Sequence, residues 1–155
     1  MKNSTLLFGV MSGTSLDGID IVLIDQNNKS IKIIEFIHMP YNLNTIKDFL
    51  KLHSDQNGDL KHSILMSISH AKITAKGINK ILKKHKLIGK DIECIGYHGQ
   101  TIRHYPESCY SVQLGSANLL AELTNISVVS DFRNRDIVAG GQGAPLVPAF
   151  HNEYF

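Results

Sequence analysis

Tryptophan is absent, and cysteine (two), arginine (three) and proline (four) are scarce among the 155 residues. Each shortage closes off a class of protein. Cys94 and Cys109 stand apart, in no C-x-x-C or zinc-ligand spacing, and one pair is no disulfide framework. Three arginines, a net charge of +2 and one basic run, Lys83-Lys84-His85-Lys86, make no basic face of the kind that binds nucleic acid. The apolar run Leu6 to Met11 is shorter than a signal-peptide core of about 7–15 residues and far from a membrane span of about 20. The expectation is a reduced, cytoplasmic protein with neither nucleic acid nor membrane as partner.

What is present is ordinary globular material, 43% hydrophobic and 19% charged, in a length that suits one domain. Residues 5–11, 19–25 and 30–38 read as three strands. The last two are joined by the turn residues Gln26 to Lys29, and the three together make an antiparallel meander. Asn44 is placed to cap a short helix with Ile46, Phe49 and Leu50 on one face. After a loop at 54–59, Leu60, Ile64, Ile68, Ala71, Ala75, Ile78 and Leu82 recur at steps of four and three, the stripe of one long helix. Gly89 ends that helix or the turn after it. A fourth strand follows at 91–97, a helix at 116–124 with Leu119, Leu120 and Leu123 inward, a fifth strand in 127–132, and a helix from about Pro145. This order predicts an α/β domain: a mixed five-stranded sheet, three strands antiparallel and the first, fourth and fifth parallel, with flanking helices.

In such sheets ligands gather at the carboxyl ends of the parallel strands. Three unusual loops are expected there. The first, Ser12-Gly13-Thr14-Ser15-Leu16-Asp17-Gly18, offers glycines that let backbone N–H groups approach an anion, two kinds of hydroxyl, and Asp17 with Asp20 as hard oxygen ligands suited to Mg²⁺. It is not a Walker loop, because no lysine follows its second glycine. A serine hydrolase using Ser12 or Ser15 with His98 is the rival reading, but Gly9 to Gly13 misplaces the serine of a G-x-S-x-G elbow. The second, Gly96 to His104, gathers His98, Gln100, Thr101, Arg103 and His104, able to hold a hydroxylated or carboxylated ligand. The third, Asp131 to Asp136, carries two of the three arginines, Arg133 and Arg135, whose planar guanidinium groups suit carboxylate or phosphate; Asp131 or Asp136 could orient them or position a substrate hydroxyl.

Four segments in order, "GVMSGTSLDGID", "GYHGQTIRH", "QLGSANLLAELT" and "VVSDFRNRDIVAGGQGAPLVPAFH", resemble the anhydro-N-acetylmuramic acid kinase family over essentially the whole sequence. The resemblance implies an actin-like, ribonuclease-H-type sugar kinase fold. It implies hydrolysis of the 1,6-anhydro ring of anhydro-N-acetylmuramic acid and phosphorylation of the freed 6-hydroxyl by MgATP, giving N-acetylmuramic acid 6-phosphate for cell-wall recycling. Gly13, Thr14, Ser15, Leu16, Asp17, Gly18, Ile19 and Asp20 match the family's ATP-phosphate loop, with Asp17 and Asp20 as the Mg²⁺ candidates. His98, Gln100, Thr101, Arg133, Arg135 and Asp136 match positions on the sugar side.

Two actin-like domains need about 300 residues, and no segment like the family's "GxDxGPGN", which carries its water-activating aspartate, occurs up to Phe155. The expectation is therefore a single N-terminal domain over residues 1–155, with the second domain and the catalytic aspartate absent and little or no activity alone. Such a domain could be a nucleotide- or sugar-binding remnant or one piece of a split enzyme. It should expose an apolar face that favours self-association or a complementary second-domain chain.

Overall fold

The computed structural model describes residues 4–27, 30–53 and 59–154. The expected loop at 54–58 and the turn residues Asn28 and Lys29 lie outside the described residues. Strands β1 (Thr5–Ser12), β2 (Gly18–Gln26) and β3 (Ile31–Pro40) form the expected antiparallel meander, with Met11 opposite Asp20 and Ile21 opposite Ile37. Helices α1 (Leu43–His53) and α2 (Leu60–His85) lead to β4 (Cys94–Tyr105), which runs parallel to β1. Then come β5 (Tyr110–Leu114), α3 (Ala117–Thr124), β6 (Val128–Ser130), α4 (Phe132–Val138) and α5 (Pro148–Tyr154).

The first, fourth and last strands are parallel, as the order of elements predicts, but the sheet has six strands rather than five. The additional strand is β5, which folds back antiparallel on the second half of β4, Gln100 facing Leu114. The segment 98–104 is therefore not a loop after a strand but strand itself, turned at Pro106–Ser108 with Cys109 in the left-handed region. Its alternation of polar side chains hides a strand whose faces are both half-covered. The Arg133 segment is likewise helix rather than loop: Asp131 takes a left-handed conformation after β6, and the chain coils from Phe132.

Register fixes the faces. Phe8 pairs with Leu23 and Ile95, Val10 with Ile21 and Tyr97, and all six are buried together against α2 and α1. Burying each aliphatic or aromatic side chain of this face is worth about 1.5–3 kcal/mol. Gly77 lets α2 lie close on the sheet; a Cβ there would collide with Ile21 and sit 3.2 Å from Met39. The stripe of α2 differs from the apolar count. Leu60 and Ile64 are exposed, and the buried line begins at Met66 and runs through His70 and Thr74, polar residues that a count of apolar positions passes over. Asp59 caps the helix through Lys61 N–H (2.9 Å), and the end comes at Lys86 in the left-handed region, before Gly89. Lys84 and His85 of the last turn both hold Glu35 of β3, pulling its carboxyl down to about 2.

Three smaller expectations shift. Asn42, not Asn44, caps α1 by accepting from Thr45 N–H at 2.9 Å. Phe49 and Leu52 are buried while Leu50 is exposed, and in α3 Leu120 and Thr124 are buried while Leu123 is exposed, because each helix turns its i, i+3 or i, i+4 pair inward. The opposite face of the sheet carries Met11, Ile33, Phe36 and Val129, each more than a third exposed.

Candidate functional site

The turn after β1 is built around one inward residue. Leu16 adopts the left-handed conformation (φ 57°) and is buried, anchoring the turn in the core, with its N–H on the Gly13 carbonyl at 3.3 Å. That leaves Thr14, Ser15 and Asp17 exposed. Among the described residues nothing accepts from the N–H groups of Thr14 and Ser15. The Asp17 carboxylate accepts from Ser15 Oγ (2.9 Å), and this bond, the largest contribution, with its own N–H and that of Gly18, holds the group below the usual carboxylate range. The Asp17 carbonyl accepts from Tyr41 N–H at 3.1 Å, and Gly18 is tight: a Cβ would lie 2.5 Å from the Met39 carbonyl. The result is a turn with two N–H groups that have no acceptor among the described residues, exposed hydroxyls and one carboxylate, the chemistry of an anion and hard-cation site. Asp20 lies on the exposed sheet face, paired with His38 Nδ1 at 2.8 Å, and the charge of Asp17 also reaches that ring.

Beneath the turn lies a buried polar layer. Ser12 Oγ donates to the Gly99 carbonyl (2.8 Å) and is 3.0 Å from His70 Nε2; His70 Nδ1 is 2.6 Å from the Tyr97 hydroxyl. Gln100 Nε2 donates to the Gly13 carbonyl (2.9 Å), and the Tyr41 hydroxyl reaches Gln100 Oε1 (3.4 Å). Burial drives His70 down to about 3, so its imidazole is neutral. Ser12 is buried and hands its proton to a carbonyl rather than to a base, and its histidine is His70, not His98; it is no nucleophile.

On the other sheet face His98 Nδ1–H donates to Gly99 O (2.7 Å), leaving Nε2 to accept from Arg133 Nε (2.9 Å). Burial, and then the neighbouring guanidinium, push the His98 pKa down. Arg133 Nη1 also donates to the Gly143 carbonyl (2.7 Å), and Asp136 accepts from Gly143 N–H (2.7 Å), so the glycine-rich segment is clasped to α4. Arg133 and His98 line a cleft of about 920 Å³ with Met11, Phe36, Phe132 and Phe150.

The structure thus joins His98 to Arg133 and Gln100 to the turn at Gly13, brings Asp17 and Asp20 both within electrostatic reach of His38, and leaves Arg135 on the surface. Gln100 is fully buried and has no surface to offer a ligand; it braces the turn instead. Thr101 is engaged within the sheet and by His53, which reaches its carbonyl at 3.2 Å. Sequence reasoning passed over Asn134, which clips α4 to β5 through Ser111 N–H and C=O, both at 2.7 Å. It also passed over Tyr41, His38 and His70. The legible signal for His70 is its place on the buried stripe: a polar side chain there needs partners.

The model of the anhydro-N-acetylmuramic acid kinase family matches residues 5–155. The chain belongs to the anhydro-N-acetylmuramic acid kinase family. It is 49% identical over 148 residues to the anhydro-N-acetylmuramic acid kinase of Pseudomonas syringae pv. tomato, a match covering 95% of this chain and 40% of that protein. The enzyme of that name from Pseudomonas fluorescens is 47% identical over 151 residues, 97% of this chain and 41% of the relative. The one from Nitrosomonas europaea is 46% identical over 149 residues, 95% and 41%. The chain therefore spans about two-fifths of the length of the anhydro-N-acetylmuramic acid kinases it matches. No helix among the described residues is long and apolar enough to cross a membrane.

Proposed function

We propose that this chain, taken as one actin-like domain over residues 1–155, is the phosphate-binding part of a kinase that opens and phosphorylates 1,6-anhydro-N-acetylmuramic acid. The observation that carries the reading is the Gly13–Asp20 turn: exposed Thr14 and Ser15, whose N–H groups have no acceptor among the described residues, beside the Asp17 carboxylate. The triphosphate of ATP lies on those amides and hydroxyls. The donor set also fits Mg²⁺, which takes one or two carboxylates and completes its shell with phosphates and water. Asp17 offers exposed oxygen, and Asp20, whose Oδ1 is held by His38, offers its second oxygen. Bound there, the ion neutralises charge developing on the transferred phosphoryl group.

The sugar is held on the His98–Arg133 side, where a neutral imidazole and a fixed guanidinium suit hydroxyl and carboxylate groups. Arg135 and Asp136 lie on the same helix, Asp136 already serving Gly143. In the reaction, water adds at C1 of the sugar as the C1–O6 bond breaks, and O6 takes the γ-phosphoryl group from ATP, releasing ADP. Activating the water needs a general base within hydrogen-bond reach. Asp131 and Asp136 are occupied by Asn134 and Gly143, and neither is assigned that role. Turnover accordingly requires residues that the relatives carry outside the matched two-fifths.

In this reading the chain acts in the cytoplasm, where ATP is available, and its apolar sheet face at Met11, Ile33 and Phe36 meets another polypeptide or a second copy. Calorimetry with MgATP tests it, alongside a coupled assay of ADP release with the anhydro-sugar. The expected result is saturable nucleotide binding with little turnover. A chain that binds the sugar but no nucleotide would instead be a carbohydrate-binding remnant.

A further inference from the structure

We propose that His70 is a positioning residue that couples the Gly13–Asp20 turn to His98 through a single atom, the Gly99 carbonyl oxygen. The polarity of the buried layer is forced. Ser12 has one hydroxyl proton, and it goes to Gly99 O at 2.8 Å. Ser12 can therefore only accept from His70, so the proton of the neutral ring sits on Nε2 (3.0 Å). Nδ1 is left bare and accepts from the Tyr97 hydroxyl at 2.6 Å. The chain Tyr97, His70, Ser12, Gly99 thus runs one way, across β4, α2, β1 and back to β4.

The same carbonyl also accepts His98 Nδ1–H at 2.7 Å, which is what leaves His98 Nε2 free for Arg133. On the other side, Ser12 adjoins Gly13, whose carbonyl is held by Gln100, while Gln100 meets Tyr41 and Tyr41 N–H holds the Asp17 carbonyl. Both ends of the turn and the imidazole facing Arg133 hang from one sealed layer. Tyr41 and Phe49 close it edge-on, their ring centroids 6.3 and 6.4 Å from that of His70. A residue 58 positions from Ser12 in the sequence sets the geometry on both sheet faces.

That His70 thereby affects nucleotide binding rests on the phosphate reading of the turn; the coupling itself does not. The test compares His70→Phe, which removes both hydrogen bonds, with His70→Gln, whose amide presents an N–H to Ser12 and an oxygen to Tyr97. Ser12→Ala breaks the chain at its other end. Three readouts are taken on the whole chain: ¹⁵N imidazole shifts of His98, hydrogen exchange of the buried, hydrogen-bonded turn amide of Leu16, and MgATP affinity by calorimetry. His70→Phe and Ser12→Ala are expected to mix the His98 tautomers, speed exchange in the turn at least about tenfold and weaken MgATP by a similar factor. His70→Gln should stay within about threefold of the parent in each.

An unchanged His98 spectrum and unchanged turn exchange in either His70→Phe or Ser12→Ala would overturn the proposal, whatever the effect on melting temperature. Should His70→Phe not fold, Ser12→Ala decides by the same readouts. If the parent chain binds no MgATP while the spectra and exchange move as expected, the phosphate reading fails and the coupling stands.

Discussion

Arg133 Nε donates to His98 Nε2 at 2.9 Å, joining the first turn of α4 to the middle of β4. The contact is possible only because His98 spends its own proton on Gly99 and presents a lone pair. Replacing Arg133 by Lys keeps the charge but loses the planar fork that serves His98 and Gly143 at once. Arg133→Lys is expected to weaken binding of the anhydro-sugar at least about tenfold by calorimetry. The His98 titration, followed by NMR, should stay depressed, because burial, the larger cause, and the positive charge both remain.

Burial of His70 makes a pH prediction with a definite sign. Its folded value is depressed to about 3 from an unfolded value near 6.5. Below 6.5 the unfolded chain takes up a proton that the folded chain refuses. The stabilising effect is therefore complete above pH 6.5 and is lost progressively as pH falls toward 3. Urea unfolding should show a loss on the order of 1–2 kcal/mol between pH 7 and pH 5. His70→Gln should lack most of that slope.

The His38–Asp20 pair acts in the opposite sense. Its hydrogen bond to Asp20 raises the His38 pKa above 6.5. Its contribution is full below 6.5 and fades as pH rises through the raised value; being half exposed, it is small and salt-sensitive. His38→Gln is expected to lower the melting temperature slightly at pH 5.5 and not at all at pH 9. A melting difference that grew with pH would contradict the pairing.

Gly18 returns the turn into β2 where a Cβ would meet the Met39 carbonyl at 2.5 Å and the His38 ring at 2.7 Å. Backbone cannot give way as a flexible side-chain tip can. Gly18→Ala should cost about 1–3 kcal/mol of stability, measured by urea unfolding. It should also disturb β3 at His38 and Met39 in amide spectra.

The meander, the parallel strands and the long helix were legible because apolar residues recur at periods of two and about 3.6, as in Ile19, Ile21 and Leu23 or Ala71, Ala75 and Ile78. The four motifs made the family legible as well. Strand β5 was not, although Tyr110, Val112 and Leu114 alternate at period two, because the run is only five residues long and lies beside the 3-10 turn at Pro106–Ser108. Pairing with β4 holds it, with Ser111 buried and Tyr110 and Val112 exposed. Helix α4 was masked by its charges; its stability comes from Asn134 and Ile137, a clip and one buried side chain. For His70 the buried stripe signals that a partner is needed, but nothing local says that the partner is Ser12, 58 residues away. Long-range polar partners are a property of topology, and a linear pattern does not encode them.

On the proposed function, main-chain amides of the turn after β1 hold the phosphates of ATP. This is tested most directly by following the amide spectrum of ¹⁵N-labelled chain through a titration with MgATP. The account predicts saturable shifts centred on Thr14, Ser15 and their neighbours through Asp20, with the same midpoint as calorimetry. Saturable binding whose shifts fall elsewhere and leave residues 13–20 unmoved would contradict it.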